Sequence, residues 1–141
     1  MQSSCCLIAS GAVAAGDLFA EDGSLEPPYL VSLGLQPKYT GPQEIAQFLT
    51  FLHEQLYPGF HFDNVHIHIA TLDQAFGKYR IDSKSGISGK PIRQQFYGHL
   101  TAEDGKIKLL CEAIDVIVAA EAIFPGGLDD VVKARVSATK T

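Results

Sequence analysis

The stretch FYGHLTAEDGKIKLLCEAID, residues 96–115, contains two extended runs on either side of Glu103-Asp104-Gly105. Asp-Gly between such runs is a hairpin signal, because the tight turn that joins twisted strands needs residues that tolerate positive φ. The second run is apolar at both parities: Ile107, Leu109, Cys111 and Ala113 on one, Leu110 and Ile114 on the other. A strand that is greasy on both faces is covered on both faces. One cover is expected to be a helix layer and the other a second subunit. The exception within this strand is Glu112, a carboxylate that is costly to bury unless it is neutralised or hydrogen-bonded.

Working outward, Pro91–Thr101 supplies the strand before the turn, and QAFGKYRID (74–82) the one before that, ended by the loop SKSGISGKP (83–91). In FHFDNVHIHIA (60–70), Val65, Ile67 and Ile69 alternate with Asn64, His66 and His68. Short connections between successive strands give an antiparallel meander. Upstream, TGPQEIAQFLTFLHEQLYPG (40–59) places Ile45, Phe48, Leu49, Leu52 and Leu56 on one helical face. Thr40 and Gln43 read as its capping box, and Pro58-Gly59 as its stop. GSLEPPYL (23–30) reads as a short edge strand broken by Pro27 and Pro28. A helix ahead of a meander packs on one sheet face, which predicts an α+β domain.

The chain has 141 residues, the length of a single domain, expected to span 1–141 with an N-terminal segment at 1–16 and a C-terminal tail at 126–141. Its net charge is −5 and its 11 Lys and Arg are scattered, so no basic footprint for nucleic acid is present. No apolar run reaches membrane-spanning length. The three cysteines, Cys5, Cys6 and Cys111, have neither disulfide nor metal spacing, and the first basic residue is Lys38, which leaves no positive leader region. A reducing, cytoplasmic location is expected. Residues 1–15 carry little pattern and are expected to pack less tightly than residues 43–56.

Five pieces in order carry a resemblance: DLFAEDGSLEPP (17–28), KYTGPQEIAQFL (38–49), GFHFDNVHIHI (59–69), the turn ending Asp104-Gly105-Lys106-Ile107, and the pair Glu112 and Asp115. Across residues 17–125 the chain resembles the SnoaL-like branch of the nuclear-transport-factor-2-like superfamily, which also holds steroid isomerases and the phenazine-biosynthesis A/B proteins. The resemblance implies a cone-shaped α+β barrel, in which a curved, mostly antiparallel sheet wraps around N-terminal helices, with an apolar pocket at the open end. It also implies a homodimer through the outer sheet face. The isomerase carboxylates are absent: the base position falls on Pro27, and the donor position on Tyr97 or Gly98. Glu112 aligns with the acid/base glutamate of the phenazine proteins, which places it inside the cone with Leu110 and Ile114. At the N-terminus AAGDLFAEDG (14–23) departs from the family's pattern by joining the first turn almost directly to the second helix's ending.

Glu112 is therefore the leading candidate for a general acid or base, its pKa raised by apolar neighbours. Asp115 is a second carboxylate, with strand capping as its plainer role. Tyr97 and His99 share a strand face with Gln95 and Arg93. If that face is inward, they oppose Glu112 as hydrogen-bond donors; if Phe96, Gly98 and Leu100 are inward, they lie outside. Leu110, Ile114, Tyr79, Gln95, Phe48 and Leu52 are the expected pocket lining. His61, His66 and His68 lack a third ligand at convincing spacing, and the 83–91 loop fails the phosphate-loop spacing, so neither metal nor cofactor is expected. Two functions remain open: a cofactor-independent isomerase, cyclase or dehydratase acting on a small hydrophobic or polyketide-like molecule, or a non-catalytic ligand-binding or dimerisation module.

Overall fold

In the structure, a computed structural model that describes residues 12–139, six strands form one curved, unclosed sheet. They are β1 (Phe19–Glu26), β2 (Tyr39–Thr40), β3 (Phe62–Ala70), β4 (Gln74–Lys84), β5 (Pro91–Glu103) and β6 (Lys106–Ile114), in the spatial order β2-β1-β6-β5-β4-β3. Every neighbouring pair is antiparallel except β1 and β6, which run parallel. The β5–β6 turn forms as the sequence requires, with Asp104 at φ 52° and Gly105 at φ 77°. Register shifts fall between Asp63 and His66, between Ile67 and Ile69, and between Thr101 and Ala102. Each bulge adds a residue on one strand and bends it, and together they curl the sheet.

Helix α1 (Ala12–Gly16) and helix α2 (Pro42–Phe51), which continues as a π-helical turn over Leu52–Leu56, lie in the concavity. Helix α3 (Val116–Ile123) and helix α4 (Leu128–Thr139) follow β6. The face of α2 that carries Ile45 and Leu49 packs on Ala15, Phe19, Leu25, Ile107 and Leu110. A second cluster joins Leu56, Tyr57 and Phe60 to Tyr79, Ile81, Ile92 and Phe96. Apolar burial of this kind contributes roughly 1.5–3 kcal/mol per large side chain and dominates the fold's stability.

Three expectations change. Thr40 is not the cap of α2: it belongs to β2, and Gly41 at φ 87° occupies the cap position, without a side-chain cap. The expected edge strand is internal, because the two prolines stand beyond its ladder and leave the N–H groups of β1 free to pair with β2 and β6. Asp115 caps α3, not the end of a strand, and accepts from the backbone N–H groups of Ile117 and Val118. The C-terminal tail is largely helix, with Val131 buried and Arg135 Nη2 donating to the Ser32 carbonyl at 3.0 Å. Most of the segment 1–15 lies outside the described residues, but Ala15 is fully buried. No helix among the described residues is long and apolar enough to cross a membrane.

Candidate functional site

Burial along β5 alternates strictly from Pro91 to Gly98, with Ile92, Gln94, Phe96 and Gly98 buried and Arg93, Gln95 and Tyr97 exposed. Phe96 therefore faces the interior, and the β5–β6 register carries the same face across: Phe96 pairs with Ile114, Gly98 with Glu112 and Leu100 with Leu110. Glu112 thus sits on the concave side of the sheet among apolar neighbours.

Tyr79 on β4 reaches over the intervening strand, and its hydroxyl donates to Glu112 Oε2. Only a strand without a side chain permits that reach: a Cβ at Gly98 would lie 2.5 Å from Tyr79 Oη and 3.0 Å from its Cε1. The Tyr79 ring is stacked on Phe96 with centroids 5.2 Å apart, and edge-on to Phe62 at 4.8 Å. The pair lines a cavity of about 50 Å³, whose other walls include Leu25, Leu49, Leu52, Phe60 and Leu110. Among those walls the Tyr79 hydroxyl and the Glu112 carboxyl are the polar side-chain groups.

Burial pushes the Glu112 carboxyl up to about 7, and the Tyr79 hydrogen bond pulls the other way without reversing it. As a whole residue Glu112 is only partly buried, because it presents surface to the cavity. Its carboxyl is nonetheless packed in by protein, and that enclosure governs its acidity. Arg80 and Arg93, which could have held it ionised, both pair with Asp82 instead, at 2.9 and 2.8 Å on the opposite face.

A second apolar space of about 40 Å³ adjoins the first and is lined by Phe48, Ile114, Leu30 and Ile123 among others. Its floor contains Gln94, which is 2% exposed. Gln94 Nε2 donates to the Asp115 carbonyl at 3.0 Å, and the Asp115 N–H donates back to Oε1 at 2.9 Å. This two-way clamp fixes the corner where β6 turns into α3. Replacing Gln94 by Ala should leave the half-buried Asp115 N–H without its partner, while the Asp115 carbonyl keeps its bond from the Ala119 N–H at 3.0 Å, and cost about 1–3 kcal/mol. Urea unfolding checks this, and a change within experimental error would mean that the corner holds without the clamp.

The structure brings Tyr79, Leu52 and Leu110 to the first cavity beside Glu112, and Phe48, Leu52 and Ile114 to the second. It does not bring Tyr97, His99, Gln95 or Asp115 there. Tyr97 is 43% exposed, stacked at 5.9 Å on Phe76 and at 6.5 Å on His68 of the outer face. His99 contacts Gln74 Oε1 at 3.1 Å, and Gln95 donates to the Tyr79 carbonyl. For Tyr97, His99 and Gln95 the reason is parity: they share the side of β5 that carries Arg93, and the concave side takes Phe96 and Gly98, whereas Asp115 is taken up as the cap of α3. His66 and His68 lie with ring centroids 4.5 Å apart on β3, outside the cavity. Cys111 is half-buried on the outer side, its thiol pushed up by burial. Gln94 and Gly98 also shape the site, beyond the candidates that the sequence offers. A glycine inside a strand pattern was the available signal, since it marks close approach of another group.

Comparison with known proteins places this geometry. The profile of the SnoaL-like domain matches residues 8–110. Among curated proteins none matches. A protein with a ketosteroid isomerase-like fold from Catenulispora acidiphila superposes with a TM-score of 0.70 at 13% identity, covering 86% of this chain and 89% of its own. A phenazine biosynthesis-related protein from Pseudomonas aeruginosa gives 0.70 at 18%, covering 86% and 83%. A candidate polyketide cyclase from Xanthomonas campestris pv. campestris gives 0.67 at 15%, covering 82% and 87%. At these identities the likeness is one of fold, and the site argument rests on this chain's own residues.

Proposed function

This chain belongs to the SnoaL-like domain family, and on that premise we propose that it is an isomerase- or cyclase-type protein acting by proton transfer. The substrate class is a small apolar, polyketide-like molecule bearing a carbonyl, and Glu112 is the group that moves the proton. The observation that carries this reading is the Tyr79–Glu112 pair in an otherwise apolar cavity.

A carboxyl held near 7 is present in both protonation states at neutral pH, as a group that must give and take a proton requires. The protonated form donates to a carbonyl oxygen. The ionised form, whose charge the Tyr79 hydroxyl at Oε2 stabilises, takes a proton from the carbon next to the carbonyl; the charge passes to the enolate oxygen, and Glu112 returns the proton to carbon to complete the exchange. Oε1 is the oxygen left for the substrate. Neither step calls for a group beyond these side chains, so the proposed reaction is cofactor-independent. The test is deuterium incorporation next to the carbonyl of simple ketones in heavy water. The chain should accelerate it and Glu112→Gln should not.

A second reading, a non-catalytic ligand-binding or dimerisation module, is favoured over a catalyst by the nearly collapsed cavity. About 50 Å³ falls well below the roughly 300–1,000 Å³ of ordinary ligand sites. Ketone binding without accelerated exchange would establish it.

The proposal extends to assembly and location. The outer sheet face presents Phe76 and Tyr97 to solvent, and Ile69 on β3 is also exposed. A homodimer that covers this face is expected in solution, and monomer alone in light scattering at micromolar concentration would count decisively against it. The cysteine pattern favours the cytoplasm.

A further inference from the structure

Glu112 does not close the end of one cavity; it stands between two. The space of about 50 Å³ and the space of about 40 Å³ share three lining residues, Leu52, Phe96 and Glu112. Beyond that junction each space is walled almost wholly by hydrocarbon. In the second, the polar side chains are already engaged: Gln94 is taken up by the Asp115 backbone, and the Tyr57 hydroxyl is bonded to Gln94.

Size then limits what can touch Glu112. A cavity of about 150 Å³ is what a single benzene ring occupies in a protein core. Neither lobe here reaches half of that, so each accepts a short arm of a few carbons and not a ring. A ligand whose polar group sat at one end would fill one lobe and leave the other empty, losing contacts on that side. A ligand with its polar group in the middle fills both and places its oxygen at the junction. Leu52 is the helix-side wall of that junction. It begins the π-helical turn, where the Tyr57 N–H reaches back to the Leu52 carbonyl at 2.7 Å, and such turns interrupt regular helix packing.

We propose that the ligand is a molecule whose carbonyl or enol lies between two short apolar arms, one seated in each lobe, with Leu52 setting the arm length. This rests on Glu112 being the polar contact of the site, as proposed above, and specifies the shape of what it meets.

The experiment compares two isomers against the full chain by NMR, following both the titration and the side-chain carboxyl carbon of Glu112. The isomers are 4-heptanone, with a propyl arm on each side of its carbonyl, and 2-heptanone, with the carbonyl near one end. The expected result is that 4-heptanone binds at least about tenfold tighter, because 2-heptanone must leave either a lobe empty or its oxygen unpaired. Leu52→Ala should move the preference to 5-nonanone, whose arms are longer by one carbon, and the volume-conserving Leu52→Met should not. If 2-heptanone binds as well or better, or if neither ketone binds, the two-armed arrangement is wrong. If 2-heptanone prevails while still shifting the Glu112 carboxyl signal, only that arrangement fails. If ketones bind and leave the signal unmoved, the proton-transfer reading fails with it.

Discussion

Glu112→Gln is expected to lower exchange catalysis by about two to four orders of magnitude while making the protein more stable above neutral pH. The two effects have one cause, the enclosure of the carboxyl. Its folded-state pKa, about 7, lies above the unfolded value of roughly 4.3. The native state therefore binds the proton more tightly, and this contribution to stability is fully present below the unfolded value. It is lost as pH rises through the folded one, since beyond that point the native state holds a poorly solvated carboxylate. The full difference amounts to at most about 3–4 kcal/mol, so the wild type should lose up to that much between mildly acidic and alkaline pH. Glutamine has nearly the shape of the protonated acid and does not titrate. Wild type and variant should then have similar urea midpoints near pH 5, with the variant ahead near pH 9. An equal gap at both pH values would mean that Glu112 is an ordinary ionised carboxylate and would falsify the proton-transfer proposal.

Gly98→Ala should be almost as damaging, although the change adds only a methyl group. That methyl would meet Tyr79 at 2.5 Å from Oη and 3.1 Å from Cζ. The ring cannot swing away freely, because Phe96 lies flat against one face and Phe62 meets it edge-on. Overpacking of this kind costs about 1–3 kcal/mol. The chemical consequence is more specific. As the hydroxyl is pushed off Glu112, the carboxyl loses the one interaction that favours its ionised form, and its pKa rises further above 7. The variant's pH–rate profile should shift toward alkaline pH. Tyr79→Phe should produce the same shift with less loss of stability, and the double variant should fall short of the sum of the two, since both act on one contact. A full-sized, additive double effect would show that Gly98 and Tyr79 act separately.

The β5–β6 hairpin was legible because Asp104 and Gly105 both take the positive φ that the turn demands. That turn starts the ladder with Glu103 opposite Lys106, and the bulge between Thr101 and Ala102 shifts it by one residue, which places Glu112 opposite Gly98 and not Tyr97. The amphipathic face of α2 was legible for a similar reason, since Ile45 and Leu49 are neighbours by helical period alone. Where the reading went astray, the local signal was real but a non-local partner overrode it. Thr40 has a capping side chain, yet its backbone is held in the β2 ladder opposite Ser24. Pro27 and Pro28 mark a strand end but say nothing about which strands flank β1.

What the sequence determined by itself, then, is the meander of β3 to β6, its hairpin and the single carboxylate in an apolar run, because each follows from backbone preference and period over a few residues. Which side of β5 faces inward was decided by the tertiary structure. Tyr97 and His99 offer one chemically attractive face and Phe96 and Gly98 offer the other, and a period of two is satisfied equally by both. The choice falls to what lies across the sheet: α2 and the aromatic cluster on the concave side need Phe96 as a packing partner, and Tyr79 needs the empty space above Gly98. The Tyr79–Glu112 contact joins residues 33 apart in the chain across an intervening strand. No local pattern encodes it, since it exists only once three strands are in register and the space between them has been left unfilled.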